Sequence, residues 1–286
     1  MKDKIQYLDK GYVQFLESGG GDEFICKFAR CSFDNQDEIK TDAENRGLID
    51  YLVRHDHTSP LEAGELWFQF KMPLFVRAQL VRHRTASQNH QSFRYDNPSG
   101  DYYVPPIGRM ATNDNWNKQG SGDALPIHLA KAYRDQLEEG AELQWKRYCR
   151  MARIDPATGE DLEDKSVPPL TKELARLTLG PNFYATACWK IDVKNLMHFL
   201  KLRDDGHAQQ EIREMAQIIS HFFKREFPMT YEAYVEHYVR SKKFSGSEMD
   251  ILVASIDEEK LAHNLESSSL RKSRKRELLL KLKREE

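Results

Sequence analysis

Apolar and polar residues alternate most regularly over residues 65–72. Leu66, Phe68, Phe70 and Met72 fall on one side, Gln69 and Lys71 on the other, so the period of two predicts a half-buried strand. Pro73 follows where a helix can begin, and a helix is predicted over about 73–84. Further helices are predicted over 42–53, with Leu48, Leu52 and Val53 on the apolar face, over 126–153, and over 193–203. Another spans 207–227, where Ile212, Met215, Ile219 and Phe222 recur at helical spacing. Thr171 is placed to cap a helix reaching about Leu179, which Gly180-Pro181 stops. Residues 23–28 (EFICKF) alternate well enough for a strand, and 183–191 is strand-like. The run Ser18-Gly19-Gly20-Gly21 reads as a turn between strands; it is not GxGxxG, so it supports no dinucleotide fingerprint. Residues 85–95 read as irregular, 98–122 as a long Gly/Asn/Pro-rich connection, and 155–169 as an acidic, Pro-bounded loop.

Composition narrows the class. The 286 residues are 40% hydrophobic, enough for one substantial core or a main domain with a smaller appendage. Lys plus Arg (43) nearly balances Asp plus Glu (45), so the net charge of -2 marks neither a nucleic-acid nor a membrane-surface protein. No apolar run approaches a membrane span, and the N-terminal residues lack the apolar stretch of a secretory signal. Cys26, Cys31, Cys149 and Cys188 form no CxxC pair and read as four reduced thiols of a cytoplasmic protein. The chain changes character near residue 240, which sets a main domain of 1–240 and a charged helical extension of 241–286. The extension reads as a solvated helical tail or an oligomer contact. Its basic run lacks the aromatic interleaving expected of a nucleic-acid platform.

The chemistry concentrates in residues 82–95. Arg82, Arg84 and Arg94, with His83, His90, Ser87, Ser92, Gln88, Gln91 and Asn89, follow directly on an apolar helix, and no acidic residue interrupts them. Guanidinium forks bind phosphate or carboxylate bidentately, so the segment describes an anion pocket with directional donors. A polar surface loop is the competing reading. Gln79 lies one turn before Arg82 on the same helix face. His55, His57, His83 and His90 do not show a known zinc spacing.

Read as Arg-His-Arg-x-x-Ser-x-Asn-x-x-Ser-x-Arg-Tyr, residues 82–95 resemble the signature of the flavin-dependent thymidylate synthase family. Upstream, His57-Thr58-Ser59-Pro60-Leu61-Glu62 resembles the family's His-x-(Thr/Ser)-Pro-x-Glu segment. Downstream, residues 195–203 and 207–213 resemble its second motif block, so the likeness spans about 25–235. It implies an α/β (α+β) fold, a mixed sheet flanked by helices, here with an extra C-terminal helical tail. It implies a homotetramer with FAD and dUMP sites at subunit junctions.

The same resemblance assigns residues. Ser32, Ser59, Glu62, Arg82, His83, Arg84, Thr85, His90, Asp192, His198 and His207 would hold FAD. Gln79, Arg82, Ser92, Arg94, Arg176 and Arg203 would bind dUMP, and His57 and Tyr95 would lie on the folate side. Several positions depart from the family pattern: His90 stands where Glu is common, Asp192 and His198 where a relative has asparagines, and Lys194 where it has arginine.

The implied reaction is reductive methylation of dUMP to dTMP. Methylenetetrahydrofolate donates the carbon and NADPH-reduced FAD the hydride, with no covalent enzyme nucleophile. The cysteines lie outside the signature, and Ser87 and Ser92 have no evident partner base. A cation polarising the pyrimidine carbonyls would enrich C5 in electrons, and Arg203 is the candidate, a helix-end charge being its ordinary reading. Two other functions stay open: a flavin-free nucleotide-binding transferase using the same arginines, and a nucleic-acid-binding protein using Arg82, Arg84, Arg94 and the basic tail. The net charge argues against the second.

Overall fold

The computed structural model describes residues 3–282 except 36, 38, 114–119 and 165. The chain divides into two compact units, one ending at Val239 and the other beginning at Arg240.

The first unit opens with strands β1 (Lys4–Tyr7) and β2 (Gly11–Gly19), then helices α1 (Asp22–Cys31) and α2 (Asp42–Arg54). Strand β3 (Glu65–Pro73), helix α3 (Leu74–Leu80) and strand β4 (Ser87–His90) carry the signature region. A hairpin of β5 (Ala111–Asn113) and β6 (Ser121–Ala124) occupies part of the long connection. Helices α4 (Ile127–Ala152) and α5 (Lys172–Ala175), strand β7 (Tyr184–Asp192) and helices α6 (Val193–Arg203), α7 (Gln210–Glu226) and α8 (Pro228–Tyr234) complete the unit.

The main sheet runs β1-β2-β3-β7-β4, flanked by helices as expected of the fold class. Every pairing in it is antiparallel, where a mixed sheet was expected. No strand returns beside its neighbour through the same-direction crossover that parallel pairing requires. The alternation read in β3 holds: Leu66, Phe68, Phe70 and Met72 are buried and the intervening residues half-buried. Their face meets Trp189 of β7, Phe199 and Leu200 of α6, and Ile212, Met215, Ile219 and Phe222 of α7. Phe68 stacks on Phe70 at 5.9 Å and lies 6.0 Å from Phe222. Each such side chain contributes about 1.5–3 kcal/mol by leaving water. A smaller cluster packs Trp145, Tyr148 and Cys149 of α4 against Phe183.

Residues 23–28 form a helix, not the expected strand. Ile25 and Cys26 are fully buried one turn before the partly buried Ala29, a helical stripe that the short alternation of EFICKF disguises. Asp22 and Glu23 lie in the first turn and Arg30 in the last, favourable to the helix dipole. Gly20 and Gly21, at φ 93° and 95°, therefore join a strand to a helix rather than two strands. The Asp22 carboxylate also accepts from the backbone N–H of Met229 (2.6 Å) and Thr230 (3.1 Å), capping the start of α8.

Helix α3 is shorter than the predicted 73–84. Pro73 ends β3, and beyond Leu80 the backbone tightens, with Arg82 N–H donating to Gln79 O and His83 N–H to Leu80 O. The segment read as irregular contains β4, whose residues pair with β7 from Ser87↔Lys190 to His90↔Ala187. Gln91 prolongs the contact, its N–H donating to Thr186 O at 2.9 Å. Thr171 stands at the N-cap of α5 without a side-chain bond, and a 3₁₀ turn over Arg176–Thr178 follows. Helix α7 starts at Gln210, after a turn in which Asp205 accepts from His207 N–H.

The second unit holds α9 (Gly246–Ala254), α10 (Glu258–Ser267) and α11 (Lys272–Leu282). The extension is helical, as expected, and residues 283–286 lie outside the described ones. Among the described residues no helix is long and apolar enough to cross a membrane.

Candidate functional site

The signature leaves α3 as a tight turn and returns along the edge of β7, so its side chains are presented in two directions. One is inward. His83 is 7% exposed and sits edge-on to Phe199 of α6, ring centroids 4.8 Å apart. Arg203, at the last turn of α6, donates from Nε to His83 Nε2 at 3.1 Å. A guanidinium only donates, so Nε2 must be unprotonated and the ring proton must sit on Nδ1. Burial, then the charge of Arg203, then His198 depress the His83 pKa to about 4, which keeps the ring neutral. Arg203 is half-buried, and its terminal nitrogens have no partner among the described residues.

The second direction is outward. A cleft of about 450 Å³ opens between α3, the end of β4 and the 3₁₀ turn, lined by Arg77, Arg176, His90, Gln91 and Ser92 with three apolar residues. Burial lowers the Arg77 pKa, and the Arg176 charge lowers it further. Arg94 is exposed and pairs with Glu173 at 3.3 Å. Arg82, Arg84 and Thr85 are exposed, and neither arginine has an ion-pair partner among the described residues.

Gln79 points toward α7, donating from Nε2 to Gln209 Oε1 at 2.6 Å. Glu62 and Lys194 form an exposed ion pair at 2.7 Å. Asp192 caps α6, accepting from Asn195 N–H (2.9 Å) and Nδ2 (2.7 Å). Ser32, Ser59, His198 and Tyr95 are exposed, and His207 is exposed with its Nδ1 2.8 Å from Asp205. His57 lies beside Tyr51 and His55, with centroids 5.6 and 6.1 Å away. The structure thus brings together His83, His198 and Arg203 on one side and His90, Ser92 and Arg176 on the other. It leaves Ser32 and His57 outside both groups.

Two residues of this arrangement escaped the sequence reading. Gln209 lay within the second motif block, but its bond to Gln79 links residues 130 positions apart. Arg77 sits within an otherwise mostly apolar stretch of α3, with no spacing to single it out. Of the cysteines, Cys26 and Cys149 are buried, their thiols pushed up to about 11 mainly by that burial. Cys188 is exposed and pairs in the sheet with Asn89 of the signature.

An antiparallel sheet with such an edge strand, arginines lacking carboxylate partners and a guanidinium steadied by a neutral histidine defines an anion-binding α/β protein. The chain belongs to the thymidylate synthase complementing protein family, whose model matches residues 15–229. It is 35% identical over 272 residues to a flavin-dependent thymidylate synthase of Ehrlichia ruminantium, covering 95% of this chain and 86% of that one. It is 36% identical over 280 residues to the Rickettsia bellii protein of the same name, covering 98% and 93%. Among solved structures it resembles the UMP/dUMP methylase PolB of Streptomyces cacaoi bound with 5-Br dUMP. The TM-score is 0.68 at 27% identity, over 82% of this chain and 98% of that one.

Proposed function

We propose that this chain is a flavin-dependent thymidylate synthase, converting dUMP to dTMP with methylenetetrahydrofolate as carbon donor and NADPH as reductant. The observation that carries the reading is the His83–Arg203 junction: a half-dehydrated guanidinium, fixed through Nε, with its terminal nitrogens free for a ligand. Hydrogen bonds from such a cation to a uracil carbonyl draw charge onto oxygen and ready C5 for attack on a one-carbon donor. In water the same guanidinium would be screened and mobile. Here burial strengthens its field and the imidazole sets its direction.

The donor set suits FAD. Arg82 and Arg84 offer two exposed, unpaired guanidinia for a pyrophosphate, and the hydroxyls of Ser32, Ser59 and Thr85 are open to solvent. His83, His90, Glu62, Asp192, His198 and His207 complete the set that the family likeness suggests. FAD bound by these residues would supply the hydride chemistry, with NADPH as the reductant. For dUMP, Gln79, Arg82, Ser92, Arg94 and Arg176 accompany Arg203, and His57 and Tyr95 are assigned to the folate side. The pushed-up thiols of Cys26 and Cys149 favour a route without a cysteine nucleophile.

Arg82, Arg84 and Tyr95 lie open on the surface, which supports a homotetramer with sites completed between subunits. A cytoplasmic location accords with a nucleotide-synthesising enzyme. The test is dTMP formation by the full chain supplied with dUMP, FAD, NADPH and methylenetetrahydrofolate, followed by chromatography. Product that disappears when dUMP, NADPH or methylenetetrahydrofolate is omitted is expected. Absence of dTMP from the complete mixture, with folded protein, would overturn the reading.

A further inference from the structure

The cleft between α3 and the end of β4 contains an imbalance. Arg77 and Arg176 both line it, no carboxylate does, and neither guanidinium has an ion-pair partner among the described residues. The one bond seen for Arg176 runs from Nε to the backbone carbonyl of Glu173 at 3.2 Å. The carboxylate of Glu173 is engaged by Arg94. Two half-buried cations facing one space repel each other, and water screens them only partly. Such a pair is stable at little cost when an anion sits between them.

A second group in the cleft is also unsatisfied. Gln88 donates from Nε2 to His83 O at 3.3 Å, which turns its Oε1 toward His90 Nε2, 3.0 Å away. An amide oxygen only accepts, so His90 carries its proton on Nε2 and its Nδ1 is a bare acceptor. That Nδ1 is buried without a partner. The cleft therefore lacks an anion for its two guanidinia, and the imidazole in its wall keeps one buried nitrogen without a partner among the described residues. The phosphate of a nucleotide supplies that anion.

We propose that Arg77 is a phosphate-binding residue of the nucleotide site, acting with Arg176 and Ser92 on the dUMP phosphate. The proposal rests on the dUMP reading and adds Arg77, which the family likeness does not assign. Because the site is built from guanidinium forks, removing one weakens phosphate-bearing ligands and spares ligands that lack the phosphate.

The experiment is calorimetric titration of the full-length, FAD-loaded protein with dUMP, deoxyuridine and inorganic phosphate, on the native chain, Arg77→Gln and Arg77→Lys. Thermal unfolding confirms that each variant is folded. Arg77→Gln is expected to weaken dUMP by about 10- to 100-fold and to leave deoxyuridine within about twofold, with Arg77→Lys intermediate. Arg77→Gln binding dUMP within about twofold of the native chain overturns the proposal while leaving the dUMP reading intact. An equal loss for dUMP and deoxyuridine also overturns it, because it marks a structural role. If the native chain binds phosphate through Arg77 but not dUMP, the dUMP reading fails, and with it the nucleotide assignment of Arg77.

Discussion

The His83–Arg203 junction and the Arg77–Arg176 cleft both border the signature and treat positive charge in opposite ways. At the junction the cation has an internal acceptor: a buried imidazole, kept neutral by burial and by the guanidinium itself, fixes Nε at 3.1 Å. In the cleft two guanidinia have no carboxylate partner among the described residues. The difference separates orientation from affinity. A guanidinium that must act on a reacting ring is best aimed before substrate arrives. Guanidinia that grip a phosphate are best left unsatisfied until it arrives, because an internal carboxylate would compete with the ligand.

The most severe loss is expected at the junction. Arg203→Ala should lower kcat for dTMP formation by about 10²- to 10³-fold while FAD is retained. Full dTMP formation in that variant would remove Arg203 from the chemistry.

Next comes the histidine that aims it. His83→Gln should cost about 10- to 100-fold in kcat, through misplacement of Arg203. The native chain should also show an acid-dependent loss of stability. His83 in the folded chain titrates at about 4, below the ordinary 6.5 of an unfolded imidazole. Between those values the unfolded chain binds more protons, so the contribution is fully present above pH 6.5 and is lost as pH falls toward 4. The loss amounts to about 3 kcal/mol. Urea midpoints measured from pH 7.5 to 4.5 should fall more steeply for the native chain than for His83→Gln. Parallel curves would contradict a neutral, buried His83.

The cleft should respond in affinity instead. Loss of phosphate-dependent binding in Arg77→Gln, set against loss of turnover in Arg203→Ala, would separate the two roles. The mildest change belongs to Cys188, the exposed thiol on the strand beside the signature. Cys188→Ala should leave kcat within about twofold, since alanine keeps the backbone pairing with Asn89 and removes only an exposed thiol. Loss of activity would point to a covalent route.

Much of the frame was legible because core-facing elements must declare their period. Strand β3 and helices α6 and α7 bury one face each, so Phe68, Leu200 and Ile219 recur at spacings only those elements satisfy. Strand β4 was invisible for the complementary reason: it is an edge strand held to β7 by its backbone, and Ser87, Gln88, Asn89 and His90 carry no apolar rhythm. Helix α1 was misread because six residues are too few to separate alternation from a helical stripe. At the site, Arg203 was legible through the family's motif, but its partner was not, since His83 and Arg203 are 120 positions apart. Asp192 shows a related limit. Its Asp-x-x-Asn spacing is a helix-capping pattern as much as a ligand pattern, and in the fold it caps α6.

Flavin chemistry in this chain is tested most simply by the visible absorption spectrum of the purified full-length protein, followed by identification of any pigment released on heating. A flavin spectrum is expected, in the protein as isolated or after added FAD, with FAD as the released compound. A colourless protein that takes up no added FAD would show that the signature residues serve some other anion.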